Sequence, residues 1–92
     1  MGRETRLFKS EERTSRSEAV SFMRQLADKI EEGSVILRQG KEEVALELPG
    51  NVVLELQAED EDKGAKGTQR SLKLEIKWFD TESEQGGSLE LG

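Results

Sequence analysis

The side chains able to do chemistry in this sequence are carboxylates: 20 Asp and Glu stand against 14 Lys and Arg, with no histidine and no cysteine. Without imidazole or thiol, the commonest general base, the triads built on it, thiol nucleophiles and nearly all transition-metal sites are excluded. Carboxylates alone could still bind calcium or work in pairs on a glycosidic bond. The densest acidic run is Glu59-Asp60-Glu61-Asp62. A calcium loop read from Asp60 needs glycine at its sixth position and glutamate at its twelfth, and these are Ala65 and Ser71. The run therefore reads as solvated loop. The remaining acids fall at polar positions of helix or strand period, where ionised groups stay in water, so no pair is singled out for acid–base work. Gly64 and Gly67 are not a phosphate loop, since no Gly-Lys-Ser/Thr follows. The expectation is a non-enzyme with no catalytic residue, cofactor or metal.

The net charge of −6 repels phosphate backbones and anionic lipid. Neither nucleic acid nor membrane is an expected partner. No apolar run is long enough to cross a bilayer, the N-terminus has no apolar leader, and Met1-Gly2 is followed at position 6 by Arg6 where a myristoylation motif needs Ser or Thr. The expectation is a soluble cytoplasmic protein.

The elements that position these charges are legible from periodicity. Residues 71–79 alternate Leu72, Leu74, Ile76 and Trp78 with Ser71, Lys73, Glu75 and Lys77, giving a strand with one apolar and one charged face. Upstream, Ser15-Arg16-Ser17-Glu18 is a capping box that predicts a helix from Arg16. Ala19, Phe22, Met23, Leu26, Ala27 and Ile30 then recur every three or four residues, and Gly33 supplies the stop. Beyond Gly33 the period becomes two, predicting strands over residues 34–39, 42–48 and 52–59 before the last over 70–79.

The turns set the registers. Gln39-Gly40-Lys41-Glu42 carries glycine at the first central position, the type II′ signature, and opposes Leu37 to Val44, Val35 to Leu46 and Arg38 to Glu43. A three-residue Pro49-Gly50-Asn51 loop would oppose Leu48 to Val52 and Leu46 to Leu54, keeping apolar residues on one face. Residues 60–69 are polar and glycine-containing and are read as a long mobile loop. Charge favours Glu55 opposite Lys77 and Glu59 opposite Lys73 in the last pair.

The motif Leu72-Lys73-Leu74-Glu75-Ile76-Lys77-Trp78 resembles the signature of the amphi-Trp domain family, small prokaryotic domains named for an amphipathic C-terminal strand ending in Trp. The helix with Phe22-Met23-Arg24-Gln25-Leu26-Ala27-Asp28, followed by Gly33-Ser34-Val35-Ile36-Leu37, is also similar to the family pattern. The resemblance covers about residues 5–79. It implies a fold and supplies no activity or catalytic residue.

The expected fold is thus α+β: a four-stranded antiparallel meander with one amphipathic helix packed on one face. A fifth, N-terminal strand at an edge would come from residues 5–10, where Leu7 and Phe8 stand among charges. One domain spans residues 5–79, and residues 80–92 form a disordered acidic tail. Trp78 is read as a structural plug whose truncation costs about 3–5 kcal/mol. The leading function is a non-catalytic protein-interaction or accessory module, acting through a sheet edge or the charged open face and recruiting an unidentified protein or a copy of itself. Arg38, Lys73, Glu75, Lys77 and Phe79 are the candidate contact residues. The alternatives are a nucleic-acid-binding module using the same open face, which its acidity disfavours, and an enzyme with carboxylate chemistry, which no motif supports.

Overall fold

A computed structural model describes residues 2–80. The expected tail lies outside these residues, apart from Asp80, which is in a turn. The fold is α+β, with one helix and four antiparallel strands arranged as two two-stranded sheets, and the chain divides into two compact units between Leu48 and Pro49.

The first unit begins with residues 2–15, which have no regular structure. The expected N-terminal strand is not formed. Leu7 and Phe8 are adjacent and would point to opposite faces of a strand, so they cannot make an apolar row. At Ser15 the backbone is extended (φ −81°, ψ 157°), and its hydroxyl oxygen accepts the Glu18 N–H at 3.0 Å. One of the unpaired N–H groups of the first turn is thereby satisfied. Helix α1 (Arg16–Glu32) follows and stops where Gly33 takes φ 93°, its N–H donating to the Lys29 and Ile30 carbonyls at 3.1 and 3.0 Å.

Strands β1 (Ser34–Gln39) and β2 (Glu42–Glu47) pair in the expected register, with Val35 opposite Leu46, Leu37 opposite Val44 and Arg38 opposite Glu43. Gly40 has φ 60° whereas Lys41 does not enter the positive region, the combination a II′ turn requires. The open end of the hairpin is tied by the Leu48 N–H donating to the Gly33 carbonyl at 2.9 Å and by Ser34 Oγ donating to the Glu47 carboxylate at 3.0 Å. Val35 is the one buried hydrophobic side chain among the described residues. Around it Leu37, Val44 and Leu46, of the same strand face, are half-buried.

Helix α1 lies against β1. Ala19, Val20, Leu26 and Ile30 are half-buried, whereas Phe22 and Met23, expected in the apolar stripe, are exposed. Two strands about 5 Å apart make a narrower surface than the stripe can cover, so part of it reaches solvent.

The second unit is a hairpin of β3 (Val53–Asp62) and β4 (Thr68–Lys77). Three expectations are corrected here. The four strands form two sheets rather than one four-stranded meander, and the Leu46–Leu54 and Leu48–Val52 pairs are in neither. Much of residues 60–69 is strand rather than loop, because Asp60 lies opposite Arg70 and ion-pairs with it at 3.4 Å. Glu61 and Asp62 continue the ladder opposite the polar Gln69 and Thr68, so a polar run can extend it. The register is also displaced by two residues from the favoured one, with Val53 opposite Lys77, Glu55 opposite Glu75, Gln57 opposite Lys73 and Glu59 opposite Ser71. Parity is preserved, so every side chain stays on its expected face.

The turn fixes this register. Asp62 Oδ1 accepts the Gly64 N–H at 2.8 Å, a single 3₁₀ turn spans Gly64–Lys66, the Lys63 N–H donates to the Gly67 carbonyl at 2.8 Å and the Gly67 N–H to the Gly64 carbonyl at 2.9 Å. Gly67 sits at φ 96°, ψ −158°, a region open essentially to glycine alone.

Candidate interaction surface on the second hairpin

Alternation along β3 and β4 sorts the hairpin into two faces. Leu54, Leu56 and Ala58 oppose Ile76, Leu74 and Leu72 in register, so one face is a continuous apolar strip. The strip is exposed: Leu54 is 67%, Leu56 65%, Leu72 76% and Leu74 59% accessible. Such a surface marks an interaction site or an aggregation hazard rather than ordinary solvent-facing strand. Trp78 follows one residue after β4 and is half-buried, so its truncation falls toward the lower end of the cost expected for an enclosed aromatic.

The opposite face is charged and internally satisfied. Lys77 Nζ donates to Glu55 Oε1 at 2.9 Å, the Gln57 amide donates to the other Glu55 oxygen, and Lys73 Nζ reaches Glu59 Oε1 at 2.9 Å. These are the two lysine–glutamate partnerships expected from charge. They form diagonally across the strands rather than between directly opposed residues, since long side chains span a two-residue offset. The Lys77 ammonium holds the Glu55 carboxyl below the usual carboxylate range, first by its hydrogen bond and then by its charge, and Gln57 adds to the effect. Conversely, Glu55 raises Lys77, with Glu75 adding its charge, and Glu59 raises Lys73. A carboxyl pushed downward and engaged on both oxygens is poorly suited to donate or take a proton near neutral pH.

Of the candidate contact residues, Lys73, Glu75 and Lys77 share this charged face of β4. Phe79 lies two residues past the strand and is exposed. Arg38 belongs to the other unit, on β1, where its guanidinium is 3.6 Å from Glu43. The residues that sequence reasoning passed over are Leu54, Leu56, Leu72 and Leu74. Their alternation was visible, but alternation says which side chains share a face and not whether anything lies over it.

The first unit carries an open groove of about 780 Å³ between its N-terminal residues, α1 and β1, with Phe8, Phe22, Ile36 and Leu37 along it and Glu12 and Lys29 among its charged lining. Among the described residues no three acidic side chains gather as a metal site, and no helix is long and apolar enough to cross a membrane.

These features define a small α+β domain of helix-plus-hairpin and hairpin units, whose distinctive surface is an amphipathic C-terminal hairpin with tryptophan at its end. The chain belongs to the Amphi-Trp domain family, whose model matches residues 1–92. No curated protein and no solved structure matches it.

Proposed function

We propose that the chain is a cytoplasmic, non-catalytic protein-interaction module whose working surface is the β3–β4 hairpin. The observation that carries this reading is the exposed apolar strip of Leu54, Leu56, Leu72 and Leu74 on a two-stranded sheet. A two-stranded sheet has an edge on both sides. An added strand would satisfy backbone groups along one edge and extend the apolar strip, the usual mode of β-augmentation. The charged face favours the edge over itself as the contact, because Lys73 and Lys77 are already engaged with Glu59 and Glu55.

The test is affinity capture from native extract with the wild-type chain and with a Leu54→Ser, Leu72→Ser variant. Both leucines are largely exposed, so the exchange should leave the fold in place, as checked by far-UV circular dichroism. Partners recovered by the wild type and lost by the variant are the expected result. Identical recoveries would overturn the proposal.

A further inference from the structure

Resting on the reading of the β3–β4 hairpin as an interaction surface, we propose that its partner is a second copy of this chain, joined by antiparallel pairing of β4 with β4 about a two-fold axis at Leu74. The two edges of the hairpin differ in charge. Strand β3 carries Glu55, Glu59, Asp60, Glu61 and Asp62 and no basic residue. Two β3 edges can form no pair of opposite charges in any register. Strand β4 carries Arg70, Lys73, Glu75 and Lys77, and it complements itself.

A shared apolar face requires residues of the same parity to oppose each other. Centring on Lys73 sets Lys73 against Lys73, and centring on Glu75 sets Glu75 against Glu75 and Lys73 against Lys77, which like-charge repulsion disfavours. Centring on Leu74 sets Lys73 against Glu75 twice, Leu72 against Ile76 twice, and Leu74 against itself, each Lys73 then lying between Glu59 of its own hairpin and Glu75 of the second copy. All of residues 71–77 take part, and all lie within β4. Centring on Ile76 would match Glu75 with Lys77, but it needs Trp78 and Phe79 in the ladder, and β4 ends at Lys77. Centring on Leu72 opposes Lys73 to Ser71, Glu75 to Gln69 and Arg70 to Leu74, with no pair of opposite charges, so charge and face together favour the Leu74 register. The product is a four-stranded antiparallel sheet, β3–β4–β4–β3, with one continuous apolar face and a closed two-fold symmetry that does not propagate into fibres.

Sedimentation velocity over a range of concentrations tests this with four samples: wild type, K73E, E75K, and the two variants mixed. The wild type should sediment at twice the 10.3 kDa of one chain. K73E alone opposes Glu to Glu and E75K alone opposes Lys to Lys, so each should dimerise roughly ten-fold or more weakly. Mixed, they regain two Lys–Glu pairs and should form a heterodimer, which damage to either fold could not produce. Equal dimerisation of K73E and wild type, or no gain on mixing, would overturn the register and with it the proposal. A wild type that stays monomeric would overturn self-pairing. In that case, partner capture that depends on Leu54 and Leu72 would leave the interaction-module reading standing, whereas capture insensitive to them would remove both.

Discussion

Alanine at position 67 should selectively damage the second hairpin. Gly67 closes the turn at φ 96°, ψ −158°, where an L-residue pays about 1–3 kcal/mol in backbone strain. A Cβ built there meets nothing within 4 Å, so the cost is torsional and not steric. The turn it anchors holds the Lys63 N–H on the Gly67 carbonyl and the Gly67 N–H on the Gly64 carbonyl. Losing its geometry frees the register that puts Leu56 opposite Leu74. In a chain of this size each kcal/mol lowers the melting temperature by roughly 4–8 °C. Urea unfolding followed through Trp78, the single tryptophan, reports on this unit directly. Two comparisons sharpen the test. Gly50 is not at positive φ and a Cβ there also meets nothing, so Gly50→Ala should be neutral or stabilise by about 0.4–1 kcal/mol through the unfolded chain. A D-alanine installed at position 67 by chemical ligation takes the mirror conformation, which lies in the broad β region, and should match or exceed glycine. Equal midpoints for L- and D-alanine, or an L-alanine effect no larger than that at Gly50, would refute the argument.

Ser15→Ala removes the acceptor of the Glu18 N–H and should cost about 1 kcal/mol of helix stability, visible as lost helical ellipticity in the far-UV and restored by Ser15→Asp. Val35→Ala removes two methyl groups at the single buried hydrophobic position and should cost about 1.5–3 kcal/mol, while Ile36→Ala, on a residue half exposed one position along, should cost much less; equal losses would refute the face assignment. The Glu55 carboxyl titrates below its ordinary 4.5 because of Lys77, so the pair's stabilisation is present above that value and fades as pH falls through the lowered one. For Lys77, raised above 10.5, the contribution is present below 10.5 and fades as pH rises through the raised value. NMR titration of Glu55 should show its midpoint moving back up in Lys77→Met, and no movement would show that the ion pair does not persist in solution.

What the sequence determined by itself was everything governed by local period and local capping. Ser15 and Gly33 bracket the helix because their chemistry satisfies its end groups with no help from elsewhere. Gly40 sets the first hairpin because a two-residue turn leaves one register, and Arg38 meets Glu43 as a result. The parity of every strand was legible for the same reason, including the apolar row Leu72, Leu74, Ile76 and the charged row Lys73, Glu75, Lys77.

Only the tertiary structure decided how the strands group and how far they run. Pro49-Gly50-Asn51 is compatible with a third hairpin turn, but a permissive loop does not force pairing, and β2 and β3 belong to separate sheets. By composition alone the polar stretch after Glu59 reads as loop. It extends the ladder to Asp62 because Arg70 lies across from Asp60 and because Asp62, Gly64 and Gly67 build a specific turn. Register slipped by two residues within a correct parity, since lysine and glutamate reach each other diagonally as well as directly, and charge alone therefore does not fix it. Exposure is the least local property of all. Whether Leu54 or Leu74 is core or contact surface depends on what lies above the strip, and nothing in the alternation of a strand can say that.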